Sequence, residues 1–157
     1  MKEFKNYYHY RIQIKNRKIF PLEKEDDAGK MIKVKNFEKP VTKNKLPKMY
    51  IVKNRSDIVY VGITSQSITT RLRYGLQAKG EGGYHGYKFK NLDTKLDLFV
   101  FWFKKENTDR TEAIEAEIAY LIRNKTEDWP KYQTEIHFHK ATKREKRTAR
   151  LIYETVK

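Results

Sequence analysis

Met49-Tyr50-Ile51-Val52-Lys53-Asn54, then Ile58-Val59-Tyr60-Val61-Gly62, then Arg71 nine residues later, decide how this chain is read. The two runs are short, apolar and rich in β-branched and aromatic residues, which predicts two strands. Asn54-Arg55-Ser56-Asp57 between them is turn chemistry, so the pair predicts a β-hairpin. Gly62 weakens a strand interior unless something must approach the backbone there. Ser65 or Ser67 suits the cap of a following helix, whose buried stripe is Ile68, Leu72 and Leu76 with Arg71 beside it. Hairpin register provides a check. A three-residue loop centred on Arg55 sets Tyr50 opposite Tyr60 on one face, whereas an even-length loop sends the two rings to opposite faces.

The rest of the chain sets limits on what this unit does. Its 157 residues make one domain, with an appendage at most. Lys and Arg outnumber Asp and Glu by 35 to 20, a formal charge of +15 that points to a polyanion, most simply nucleic acid. There is no cysteine, which excludes disulfides and zinc-thiolate sites. No apolar run nears the ~20 residues of a membrane helix, and the first residues lack an apolar signal core. These features lead to the expectation of a cytoplasmic protein with no membrane partner.

Outward from the hairpin, Tyr8, Tyr10, Ile12 and Ile14 alternate with polar residues as a strand does. Lys18 to Leu22 and Met31 to Val34 are shorter strand candidates, and Phe37 to Leu46, with Pro40 and several lysines, resembles a linker. Residues 1–45 are therefore expected to be a β-rich extension and linker, 46–139 the main domain, and 140–157 a basic helix. Gly80 to Tyr87 is a glycine-rich loop without phosphate-loop spacing. Leu96 to Phe103 is the most apolar run and predicts a central strand buried on both faces. Glu106 to Asp109 offers caps for a helix over Thr111 to Asn124, with Ile114, Ile118, Leu121 and Ile122 as its stripe. Glu115 and Glu117 flank that stripe, and periodicity does not choose between them. Glu135 to His139 alternates like a last strand. Lys140, Arg144, Arg147 and Arg150 crowd the final helix and suit phosphate contacts.

The chain resembles the GIY-YIG nuclease superfamily over roughly Lys45 to His137. Lys48-Met49-Tyr50 stands for the first half-motif with only its tyrosine kept, and Tyr60-Val61-Gly62 is a near match to the second. Arg71 falls where the helix arginine belongs, and Pro130-Lys131-Tyr132-Gln133 resembles the segment that closes the domain. The resemblance implies an α+β fold, a small mixed or antiparallel sheet flanked by helices. It favours Glu117 as the carboxylate that holds Mg2+ or Mn2+. It further implies a single-metal DNA endonuclease, with RNA not excluded and with a homodimer or protein partner choosing the target. In that reading Tyr50 activates or orients water, Tyr60 assists and Arg71 stabilises the phosphate. Gly62, Lys53, His85, Gln133, His137, Arg144 and Arg147 are the expected substrate contacts. The competing class is a nucleic-acid-binding module that does not cut. One departure stands out: many relatives carry a histidine or tyrosine four residues after the helix arginine, and here that position is Gly75. Tyr74, His85 and the histidines near 137–139 are candidates to supply the missing group.

Overall fold

The computed structural model describes residues 4–104 and 108–157. Six strands, β1 (Tyr7–Lys15), β2 (Lys18–Glu25), β3 (Met31–Lys33), β4 (Lys48–Asn54), β5 (Asp57–Thr64) and β6 (Thr94–Trp102), form one open sheet in the order β3-β2-β1-β6-β4-β5. Every pairing is antiparallel. Three helices, α1 (Ile68–Gln77), α2 (Thr108–Thr126) and α3 (Lys143–Val156), complete an α+β fold. Glu106 and Asn107, expected as helix caps, lie outside the described residues.

Alternation along the strands divides the core into two layers. Tyr10, Ile12, Tyr50, Val52, Leu96, Leu98 and Val100 point to one face and pack with Ile68, Leu72 and Leu76 of α1. Met49, Ile51, Val61, Phe99, Phe101 and Phe103 point to the other and meet Ile114, Ile118 and Ile122 of α2 and Ile152 and Val156 of α3. β6 is central, buried on both faces, as its composition requires. The basic helix docks through this second layer, and its start is fixed by a capping box: Thr142 Oγ1 accepts from Glu145 N–H, and Glu145 Oε2 accepts from Thr142 N–H.

The N-terminal strands β1, β2 and β3 belong to the same sheet as the hairpin, because β1 pairs with β6 along its length. Nor does the segment over Phe37 to Leu46 behave as a free linker. Phe37 and Val41 are buried in the core, Val41 C=O accepts from Ile68 N–H at 2.9 Å, and Asn44 Oδ1 accepts from Ser67 N–H at 2.9 Å. These two acceptors serve the start of α1, where Ser67 makes no side-chain cap. Lys48, at the altered start of the first half-motif, is fully buried, and its ammonium donates to the Lys43 and Leu46 carbonyls at 2.7 Å each. Burial pushes its pKa down to about 8.

The hairpin departs from the simple three-residue loop. Asn54 pairs with Asp57, leaving a two-residue turn, Arg55-Ser56, with Arg55 in the left-handed region at φ 58°. Alone, that even loop would part Tyr50 from Tyr60. A bulge at Val59 restores the parity, so Tyr60 lies opposite Val52 and Tyr50 opposite Gly62. Both tyrosines therefore face the α1 layer, with ring centroids 5.7 Å apart.

Glu135 to His139 is not a strand. The segment meets the free edge of β5 first through Tyr132 N–H, which donates to Val59 C=O at 2.8 Å. The Gln133 side chain then takes both polar groups of Val61: its Oε1 accepts from Val61 N–H and its Nε2 donates to Val61 C=O, each at 3.0 Å. The backbone groups that a seventh strand would need are thus already used, and the chain leaves the sheet.

Candidate active site

α1 packs on one face of the sheet and α2 on the other. Between them opens a cleft of about 270 Å³, lined by Tyr60, Gly62, Arg71, Tyr84, Tyr87, Glu112, Glu115, Gln133 and His137 among others. Strand β5 supplies Tyr60 and Gly62, α1 supplies Arg71, the glycine-rich loop supplies Tyr84 and Tyr87, α2 supplies Glu112 and Glu115, and the segment after Gln133 adds Glu135.

Gly62 is required by its neighbours. A Cβ there would lie 2.5 Å from Tyr50 Cζ, 2.7 Å from Tyr50 Oη and 2.7 Å from Tyr60 Cε1. Tyr50 is fully buried behind this point, and its hydroxyl shares a hydrogen bond of 2.8 Å with that of Tyr87. Burial raises the pKa of Tyr50 well above the ordinary tyrosine value, with Tyr87 and Tyr60 adding to it. Burial likewise raises Tyr60 and Tyr87. These hydroxyls are protonated donors near neutral pH, so none is a ready general base.

Gly75 has a similar explanation. A Cβ at that position would come within 2.1 Å of the Tyr87 ring. The space a side chain would take four residues after Arg71 is filled by Tyr87, delivered from the loop. Tyr87 N–H donates to the Gly75 carbonyl at 3.0 Å, one of the unpaired carbonyls near the end of α1. The approach is so close that Gly86, at φ 75°, also has no room for a Cβ: it would sit 2.0 Å from Gly75 O. Lys90 Nζ holds the loop against the helix end through the Ala78 and His85 carbonyls. Tyr87 stacks on Phe89, with centroids 4.7 Å apart.

Arg71 is held by the same loop. Its guanidinium donates to Tyr84 Oη at 2.8 Å and lies 5.2 Å from the Tyr87 ring centroid. Burial works against its charge, but Tyr50, Tyr87 and Tyr84 outweigh burial and keep its pKa above the usual value. It is a permanent cation that lines the cleft with one donor spent on Tyr84. Tyr74, one of the expected substitutes at the Gly75 gap, is exposed and stacked on Tyr84, with centroids 4.9 Å apart.

On the opposite wall Glu115 is buried beside Glu112. Burial raises its carboxyl to about 8, and the charge of Glu112 pushes in the same direction. A desolvated acid under like-charge repulsion gains from a cation, so the donor set fits a hard divalent ion. Among the described residues no three acids or imidazoles gather as a closed metal site. A cation here would rest on Glu115, with Glu112 nearby, and would complete its shell with water and phosphate oxygens. Glu112 Oε2 also pairs with His139 Nε2 at the rim.

The expected residues divide accordingly. Tyr60, Gly62, Arg71, Gln133 and His137 line the cleft, and Tyr50 backs it. His137 is exposed, 3.4 Å from Glu135. Glu117, favoured by resemblance, is not among the lining residues. It lies two positions, about 200° of helical turn, from Glu115, which faces the cleft. Lys53 is outside too, since its ammonium donates to the Val156 carbonyl at the end of α3. His85 lies against Gly80, and Arg144 and Arg147 are exposed on α3, none lining the cleft. Tyr84 and Tyr87, the two tyrosines of the glycine-rich loop, are not among the expected site residues. The available signal was the pair of glycines, Gly75 in a helix and Gly86 before an aromatic, which marks a close backbone approach.

The profile of the GIY-YIG catalytic domain matches residues 47–133, more than half of the chain. The protein belongs to the GIY-YIG family, whose domain implies nuclease activity and whose members generally use divalent metal ions. No curated protein and no solved structure gives a significant match. Among the described residues no helix is long and apolar enough to cross a membrane.

Proposed function

We propose that the chain is a metal-dependent DNA endonuclease whose carboxylate is Glu115 rather than Glu117. The observation that carries this reading is convergence in one cleft. A fixed guanidinium, a set of protonated tyrosine hydroxyls and a desolvated acid come from four separate parts of the chain. Arg71 donates its remaining N–H groups to the scissile phosphate and stabilises the charge that builds on its oxygens. Tyr60 and Tyr87 present hydroxyl donors that orient the phosphate and the attacking water. Tyr50 holds Tyr87 through their shared hydrogen bond and does not itself take a proton. Glu115, once ionised, holds the metal, which when bound polarises the phosphate and lowers the pKa of a bound water. Tyr87 supplies from the loop the group that Gly75 lacks on the helix.

The experiment is nicking of supercoiled plasmid by wild type and Arg71→Ala, with magnesium, with manganese and with chelator. Metal-dependent nicking by wild type, reduced at least 100-fold in the variant, supports the reading. Salt-sensitive binding of DNA without any cutting would favour the alternative, a nucleic-acid-binding module.

A further inference from the structure

A second and larger cleft lies on the other flank of α1. It measures about 550 Å³ and is bounded by the β1–β2 hairpin, the 35–37 segment and α1. Arg17, Lys18, Lys35 and Arg73 line it, and no lining residue is acidic. Phe20 stands in its wall on β2 and is 46% exposed, although it is a large apolar ring. The volume falls in the usual range for ligand sites, about 300–1,000 Å³.

The hairpin turn adds an independent observation. Asn16 and Arg17 occupy the two central turn positions with φ 52° and 56°. Such turns prefer Asn-Gly, because the second residue must also be left-handed. An arginine there carries a backbone cost that glycine avoids, and a retained cost of this kind points to a use for the side chain. Arg17 Nε donates to Asn91 Oδ1 at 2.9 Å, which fixes the guanidinium and leaves its two terminal amino groups for another acceptor.

We propose that this cleft binds an unpaired nucleic-acid strand next to the cut site. Phosphates would be met by Arg17, Lys18, Lys35 and Arg73, and one base would stack on Phe20. That a cut site lies beside this cleft rests on the nuclease reading, whereas strand binding in the cleft does not. Arg71 and Arg73 are about 200° apart on α1, so the helix, about 10–12 Å across, separates the two clefts. A strand passing over α1 reaches both. The N-terminal strands then act as the substrate-holding element of the chain.

The test uses the full chain carrying Glu115→Gln, so that nothing is cut, and fluorescence anisotropy with a labelled single-stranded oligonucleotide and its duplex. Adding Phe20→Ala is expected to weaken single-strand binding at least fivefold. Adding Lys18→Ala, Lys35→Ala and Arg73→Ala together is expected to lower the salt slope by about 2. Unchanged single-strand binding in both sets, with far-UV circular dichroism and melting preserved, overturns the proposal. So does a loss confined to the duplex. The nuclease reading fails separately: wild type that binds through this cleft and nicks nothing keeps the cleft and loses the enzyme, and the reverse result keeps the enzyme alone.

Discussion

The two flanks of α1 treat polar groups in opposite ways. On the catalytic side, the rings of Tyr50, Tyr60 and Tyr87 pack against one another, Tyr50 and Tyr87 share a hydrogen bond of 2.8 Å, Arg71 donates to Tyr84 at 2.8 Å, and the acid opposite is desolvated. On the other side, Lys18, Lys35 and Arg73 are exposed. Chemistry on a phosphate needs groups fixed before the reaction, in surroundings where charge is felt strongly. Holding a phosphate backbone needs only cations of adequate reach, because counterion release supplies most of the affinity. One helix serves both purposes because residues two apart, Arg71 and Arg73, face different ways.

That contrast breaks most readily at Arg71. Arg71→Ala should lower the nicking rate by about 10²–10³-fold or more, as loss of a preorganised donor does, while affinity for uncut DNA falls only a few-fold. Equal losses in both would make the two flanks alike. Next in size is Gly75→Val, whose side chain meets the Tyr87 ring. Overpacking of this kind costs about 1–3 kcal/mol, and urea unfolding should show it together with loss of nicking. Tyr87→Phe keeps the ring and removes only the hydroxyl bonded to Tyr50. We expect nicking to fall about tenfold, with melting little changed, since one hydrogen bond contributes about 0.5–1.5 kcal/mol. Full activity in Tyr87→Phe would reduce Tyr87 to a space-filler.

The smallest expected effect is on stability against pH. The folded pKa of Glu115, about 8, lies above its value of 4.5 when free. Below about 4.5 the carboxyl is protonated folded or unfolded, and it costs nothing. Between 4.5 and 8 the unfolded chain releases the proton first, so stability falls as pH rises through that window. Glu115→Gln removes the slope. Without metal, its melting temperature should exceed that of wild type by about 3 °C or more at pH 8 and match it near pH 4.5. Added magnesium should narrow the gap by raising wild type alone, because it binds the ionised form.

Much of the fold is legible from local pattern. Hairpin, central strand and three helices follow from β-branched runs, aromatic density and 3.6-residue stripes. Three features are not, because each depends on contacts distant in sequence. The bulge at Val59 is invisible to alternation, yet it decides that Tyr50 and Tyr60 share a face. The strand expected at Glu135 to His139 fails because a glutamine side chain occupies Val61 on the edge it would need. Phe37 and Val41, set among lysines and a proline, resemble linker residues until β1 brings the N-terminal strands beside β6 and gives them a core to enter. The site divides in the same way. Tyr60, Gly62 and Arg71 carry motif spacing, whereas Tyr84 and Tyr87 come from a loop that spacing does not describe. Glu115 and Glu117 flank one stripe equally well until β5 and α1 define which side is the cleft.

The most direct test therefore compares those two glutamates. Supercoiled plasmid is incubated with magnesium and wild type, Glu115→Gln or Glu117→Gln, after each variant is shown to be folded by circular dichroism. The account predicts that wild type and Glu117→Gln nick at comparable rates and that Glu115→Gln does not nick. Nicking by Glu115→Gln together with loss in Glu117→Gln would contradict it and move the metal out of the cleft described here.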